Sequence, residues 1–173
     1  MKILSWVLGI GLAAWVGQYL LAMLVPSLIM EVLYVIGKDR DGYNRMVVRP
    51  LPDATARDIV RPSPDLLYAS CLYNLNDGPL LIEAPIPDRF WSMQFYQMNT
   101  DNYAGISNQR DQRHRAGTVA NVTLVGSRDD PADYEGEVVQ SPTGRGLILL
   151  RASASGDRAL QQAALDASSC RSG

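Results

Sequence analysis

The side chains able to do chemistry in this sequence are few and scattered. His114 is the only histidine and lies in NQRDQRHRAG, so a His-rich metal site is excluded and a Ser-His-Asp triad would have to recruit this residue. Arg113 and Arg115 flank it and disfavour a role as proton acceptor, so we read the segment as a solvated, Arg-dense loop. Arg110, Arg113 and Arg115 together are candidates for holding an anionic group or a lipid phosphate, against the plainer reading of a solvated face. Asp65, Asp77, Glu83 and Asp88 could supply an acid/base pair. No spacing, however, sets two of them at the separation that glycoside chemistry requires. Asp77 is committed to a turn, and Asp65 is expected to bond the backbone near Pro62 or to pair with Arg61 or Arg89. With no Gly-rich phosphate loop and no nucleophile elbow, the sequence assigns no catalytic residue and calls for no cofactor or metal.

Aromatic side chains are the other resource. Tyr68, Tyr73, Trp91, Phe95, Tyr96 and Tyr103 can line a cavity between sheets or simply fill a core. Asp65, Tyr68, Trp91 and Tyr96 form the candidate ligand-binding set. Cys71 lies in a strand-like run and Cys170 in the Ser-rich tail, without metal-site spacing; either a disulfide or two separate thiols fits. The 16 basic and 18 acidic residues leave a net charge of −2, which offers nucleic acid no attractive field.

The elements that must position these groups begin with an apolar run. From Ile3 to Val25 no residue is charged, and at 1.5 Å per residue the run spans about 34 Å, enough for a bilayer's hydrocarbon. It continues through QYLLAMLVPSLIM without a cleavage site for a signal peptide, so a retained single-pass anchor is expected. Pro26 is expected to interrupt the helix, and SLIMEVLYVIG to form a second, amphipathic piece with Glu31 facing water or a partner. Gly9, Ala13 and Gly17 recur every fourth residue and offer a face that another membrane helix, from a partner protein or a second copy, can approach closely. Lys2 on one side and Lys38 with Arg40 on the other leave the charge rule undecided. A short leader before an uncleaved helix places the domain outside the cytoplasm, hence inner membrane with a periplasmic domain.

Beyond the anchor, Asp53 can cap a short helix through ATARDIV that Pro62 ends. The period then becomes two. LLYASCLYNL, LLIEAP, RFWSMQFYQM, TVANVTLVG, GEVVQS and RGLILLRA read as strands, separated by NDGP, PIPDR, SRDDPADYE and SPTG turns. SGDRALQQAALDAS reads as a helix with Leu160, Ala163, Ala164 and Ala167 on one stripe and Ser155 as cap. The expected organisation is an anchor with its amphipathic continuation over 1–37, a linker and short helix over 38–60, a β-domain over 61–168 and a tail over 169–173.

The central residues resemble the bacterial family known as domain of unknown function 1254. The resemblance rests on Arg61, Pro62, Asp65, Leu67, Tyr68 and Ser70, on Leu75, Gly78 and Pro79, and on Pro85, Arg89, Phe90, Met93 and Tyr96. It continues at Arg151, Gly156 and Asp157. It covers roughly residues 42 to 168, with Ser63 where the family pattern has Asn and no counterpart of the companion domain numbered 1214. It implies an all-β, jelly-roll-like β-sandwich of the kind found in exported or membrane-attached proteins, here with an N-terminal transmembrane helix and a C-terminal α-helix. It implies no reaction. The function expected is that of a membrane-anchored accessory or scaffolding protein; the alternative is a domain that binds or hydrolyses a carbohydrate or lipid-like molecule.

Overall fold

The computed structural model describes residues 2–52, 62–110 and 112–173. The short helix expected after Asp53 therefore lies outside the described residues, as does Arg61. The chain is mostly β-sheet, with a long apolar N-terminal helix and a C-terminal helix. Helix α1 runs unbroken over Lys2–Asp41. The expected break at Pro26 does not occur, because proline forfeits a single backbone bond while the apolar residues on both sides gain nothing by leaving the helix. Helix α1 stops at Gly42, whose φ of 79° suits the left-handed residue that closes a helix and whose N–H bonds Lys38 O at 2.9 Å.

Among the described residues nine strands follow: β1 (Arg45–Val48), β2 (Leu66–Asn74), β3 (Leu80–Pro85), β4 (Trp91–Gln97), β5 (Asn102–Ser107), β6 (Val119–Val125), β7 (Glu137–Gln140), β8 (Arg145–Ser153) and β9 (Ser169–Ser172). Helix α2 (Arg158–Asp166) lies between β8 and β9. One sheet has the order β1-β2-β8-β4-β5 and the other β7-β6-β3-β9. All pairs are antiparallel except β6 with β7.

Strict alternation turns one side of each central strand inward. In β2, Leu67, Ala69, Cys71 and Tyr73 are buried; β8 contributes Ile148, Leu150 and Ala152, and β4 contributes Trp91, Met93 and Phe95. These meet Leu80, Ile82 and Ala84 of β3 and Val122 and Leu124 of β6 in one hydrophobic core. Each large aliphatic or aromatic side chain so buried contributes about 1.5–3 kcal/mol. A disulfide joins Cys71 on β2 to Cys170 on β9, with Cα atoms 6.5 Å apart, and so ties the two sheets together across the core.

Four expectations change. The stretch read as a linker contains β1, and the stretch read as a tail contains β9, each ordered by pairing with a longer neighbour rather than by its own four residues. Helix α2 is capped by Asp157, whose carboxylate accepts the Leu160 N–H at 3.2 Å, not by Ser155. It buries Gln161 and Leu165, whereas Leu160, Ala163 and Ala167 face solvent. The Leu160 stripe rotates outward because Gln161, through Asp88, and Leu165, through the core, face the sheets instead.

Candidate functional site at the helix–sheet junction

The two lengths of α1 have different surroundings. Ile3, Trp6, Leu12 and Trp15 are exposed at 64–82%, while Met30 and Tyr34 are buried at 5% and 3%. Met30, Tyr34, Gly37 and Asp41 recur at the spacing of one helical face, and that face lies on the five-stranded sheet. Tyr34 donates its hydroxyl to the Tyr73 carbonyl at 3.2 Å. The Arg145 guanidinium sits 5.1 Å from the Tyr34 ring centroid and bonds both Glu31 carboxylate oxygens at 3.2 Å. Asp41 accepts a short hydrogen bond from Arg49, just past β1. Gly37 lies so close to the sheet that a Cβ there would come within 2.5 Å of Leu72 Cδ1. Glu31, expected to face water or a partner, is thus paired within the chain.

Behind this junction lies a hydroxyl network. The buried Tyr73 hydroxyl meets Ser141 Oγ at 2.8 Å and Tyr103 Oη at 3.2 Å, and it donates to Tyr96 O at 3.3 Å as one of its alternatives. Burial, with Tyr73 beside it, pushes the Tyr103 phenol well above its usual pKa. Gly146 is required here, because a Cβ would stand 2.4 Å from the Tyr73 hydroxyl and 2.3 Å from Tyr96 O. Tyr103, Ser127, Gln140, Ser141 and Pro142 line an adjoining open recess of about 290 Å³.

The candidate residues from the sequence do not converge. Trp91 is fully buried between the sheets, Tyr68 and Tyr96 lie on the outer face of the five-stranded sheet, and Asp65 is exposed in the turn before β2. The Asp65 main-chain O accepts from Ala154 N at 2.8 Å, a backbone contact and not the carboxylate bond near Pro62 that was expected, and Arg61 lies outside the described residues. Glu83 is on the other sheet, paired with Arg171 at 2.7 Å, so the two carboxylates offered for hydrolysis are apart. Arg110, Arg113 and Arg115 are exposed on the β5–β6 loop; Arg113 approaches Glu137 at 3.8 Å, and Arg115 bonds Gln112 at 3.0 Å. Gly9 and Ala13 are exposed, and neither Gly9 nor Gly17 has a heavy atom within 4 Å of a Cβ placed there.

His114 corrects the solvated-loop reading. It is only 5% exposed, its Nε2 lies 3.1 Å from Glu137 Oε2, and its ring is 6.5 Å from that of Trp91. The polar text around it hid this, because a lone inward residue in a loop leaves no period to read. Nor did the sequence mark the Tyr34–Arg145–Glu31 group, in which Arg145 stands more than 100 residues from the other two.

No curated protein matches the chain. Among solved structures it is similar to the VPA0106 protein from Vibrio parahaemolyticus, with TM-score 0.59 and 14% identity over 87% of this chain and 37% of that one. It also matches a putative uncharacterized protein from Burkholderia cenocepacia, with TM-score 0.47 and 18% identity over 76% of this chain and 35% of that one. The chain thus spans little more than a third of the length of either structure. The family model described as Protein of unknown function (DUF1254) matches residues 43–168, which takes in every strand from β1 to β8 together with α2, and the chain belongs to that family.

Proposed function

We propose that the protein is a membrane-anchored accessory or scaffolding module, with α1 crossing the inner membrane once and a jelly-roll-type β-sandwich standing in the periplasm. The observation that carries this reading is the continuity of α1. One unbroken helix leaves its first two dozen residues bare and apolar and fastens its last three turns to the sheet. A flexible tether would let the domain tumble, whereas this junction fixes its angle to the bilayer, which is what an assembly subunit requires. The Cys71–Cys170 disulfide supports the extracytoplasmic side, since disulfides persist in oxidising compartments. The crossing of the chain between sheets from β2 to β3, from β3 to β4 and from β7 to β8 supports the sandwich.

The partner meets the Gly9, Ala13, Gly17 face, exposed at Gly9 and Ala13 and half-buried at Gly17, where small side chains permit close helix approach. Extraction in mild detergent followed by mass measurement of the complex tests this. An assembly heavier than one chain is expected, reduced to a monomer by Gly9→Leu with Gly17→Leu. A monomer from the unaltered protein would refute the assembly.

A further inference from the structure

Arg151 lies on the outer face of the five-stranded sheet, about 20 Å along β8 from the Arg145 that holds α1. Register places it directly between Tyr68 on β2 and Ser92 on β4, and Ser92 is opposite Ser107 on β5. The neighbours of these residues in sequence, Leu67 and Ala69, Leu150 and Ala152, and Ile106, point inward, so the four polar side chains share one row on the outside. Opposed side chains in such a row have Cβ atoms about 4.5–5.5 Å apart.

Two members of the row are unsatisfied. Ser92 is only 2% exposed and its Oγ has no hydrogen-bond partner. Arg151 is half-buried, its Nε is buried without a partner, and among the described residues no carboxylate pairs with it. A hydroxyl and a guanidinium Nε withdrawn from water side by side are unfavourable unless something satisfies both. The rest of the row can donate as well. Tyr68 Oη accepts from Ser63 N at 2.9 Å and Ser107 Oγ from Gln109 N at 3.2 Å, which leaves each hydroxyl hydrogen free to turn outward.

We infer that the Tyr68–Arg151–Ser92–Ser107 row is a binding site for an oxyanion, the carboxylate or phosphate of an acidic ligand. The planar guanidinium fork matches two oxygens of such a group, and the Ser92 hydroxyl supplies the third donor from a position already stripped of water. The next row toward α1 is Ser70, Leu149 and Gln94, and the one after it Leu72, Leu147 and Tyr96, so the surface beside the site is mixed first and apolar only beyond.

The test is thermal unfolding of the full chain in detergent with inorganic phosphate, with butyrate, and with chloride at matched ionic strength. One of the two oxyanions is expected to raise the midpoint by about 5 °C at saturation while chloride does not. A response to phosphate alone marks a phosphoryl ligand, and a response to butyrate alone a carboxylate. Arg151→Gln should abolish the shift and leave the unliganded chain at least as stable, because it removes a cation that no carboxylate pairs among the described residues. Ser92→Ala should reduce the shift to a third or less, and it decides the matter if Arg151→Gln does not fold. Equal responses to chloride and the oxyanions, or an undiminished shift in Ser92→Ala, would overturn the proposal.

Discussion

The membrane-length portion of α1 and its last three turns obey the same helical geometry but opposite rules of placement. In the first, large apolar residues such as Trp6 and Trp15 are bare, and small residues gather on one face. In the second, the bare residues alternate with a stripe of Met30, Tyr34 and Gly37 that the sheet covers. What differs is the environment each stretch is written for. An apolar surface with nothing against it suits lipid or another helix, while a narrow stripe with polar anchors suits a sheet edge. The helix is thus a rigid extension of the domain, and substitutions in its two portions should have separable consequences.

The largest effect is expected from the brace that keeps the sheet beneath the helix intact. Cys71→Ala with Cys170→Ala opens a crosslink spanning 99 residues and should cost roughly 3–5 kcal/mol in chemical denaturation, without altering membrane attachment. Tyr34→Ala comes next. It removes a buried ring and its hydroxyl donor and should lower stability by about 3 kcal/mol, with faster hydrogen exchange confined to Met30–Asp41 and the strands beneath. Gly37→Leu must displace Leu72 and should cost about 1–3 kcal/mol, while Gly9→Leu, with open space around it, should leave domain stability unchanged. Equal losses at Gly37 and Gly9 would erase the distinction between the two portions. The smallest effect is expected for Glu31→Gln, because a half-exposed ion pair contributes about 0.2–1 kcal/mol.

Much of the central β-domain was legible because its strands are long enough for period two to show. The alternation of Leu67, Ala69, Cys71 and Tyr73 names the inner face of β2, and Asp77-Gly78 names the turn after it. The missed strands β1, β5 and β9 are short or carry polar text, as in RMVV, NYAGIS and SCRS. Their pairing is decided by neighbours remote in sequence, which no local pattern encodes. The same holds for the candidate sites. Gly9, Ala13 and Gly17 stand in one helix and could be read directly. By contrast, the Tyr34–Arg145 junction and the Tyr68–Arg151–Ser92 row exist only once the β2–β8 and β4–β8 registers are set. Arg151 was legible as a family residue but not as a charge that lacks a carboxylate among the described residues. His114 was misread because burial in a loop leaves no periodic trace.

The central claim is that α1 remains part of the mature protein and lies in a bilayer. Alkaline carbonate washing of membranes from expressing cells, followed by intact mass measurement of the protein in the pellet and in the supernatant, tests it most directly. The account expects the chain in the pellet with its mass including the Ile3–Val25 segment. A soluble chain whose first residue falls after Val25 would contradict it.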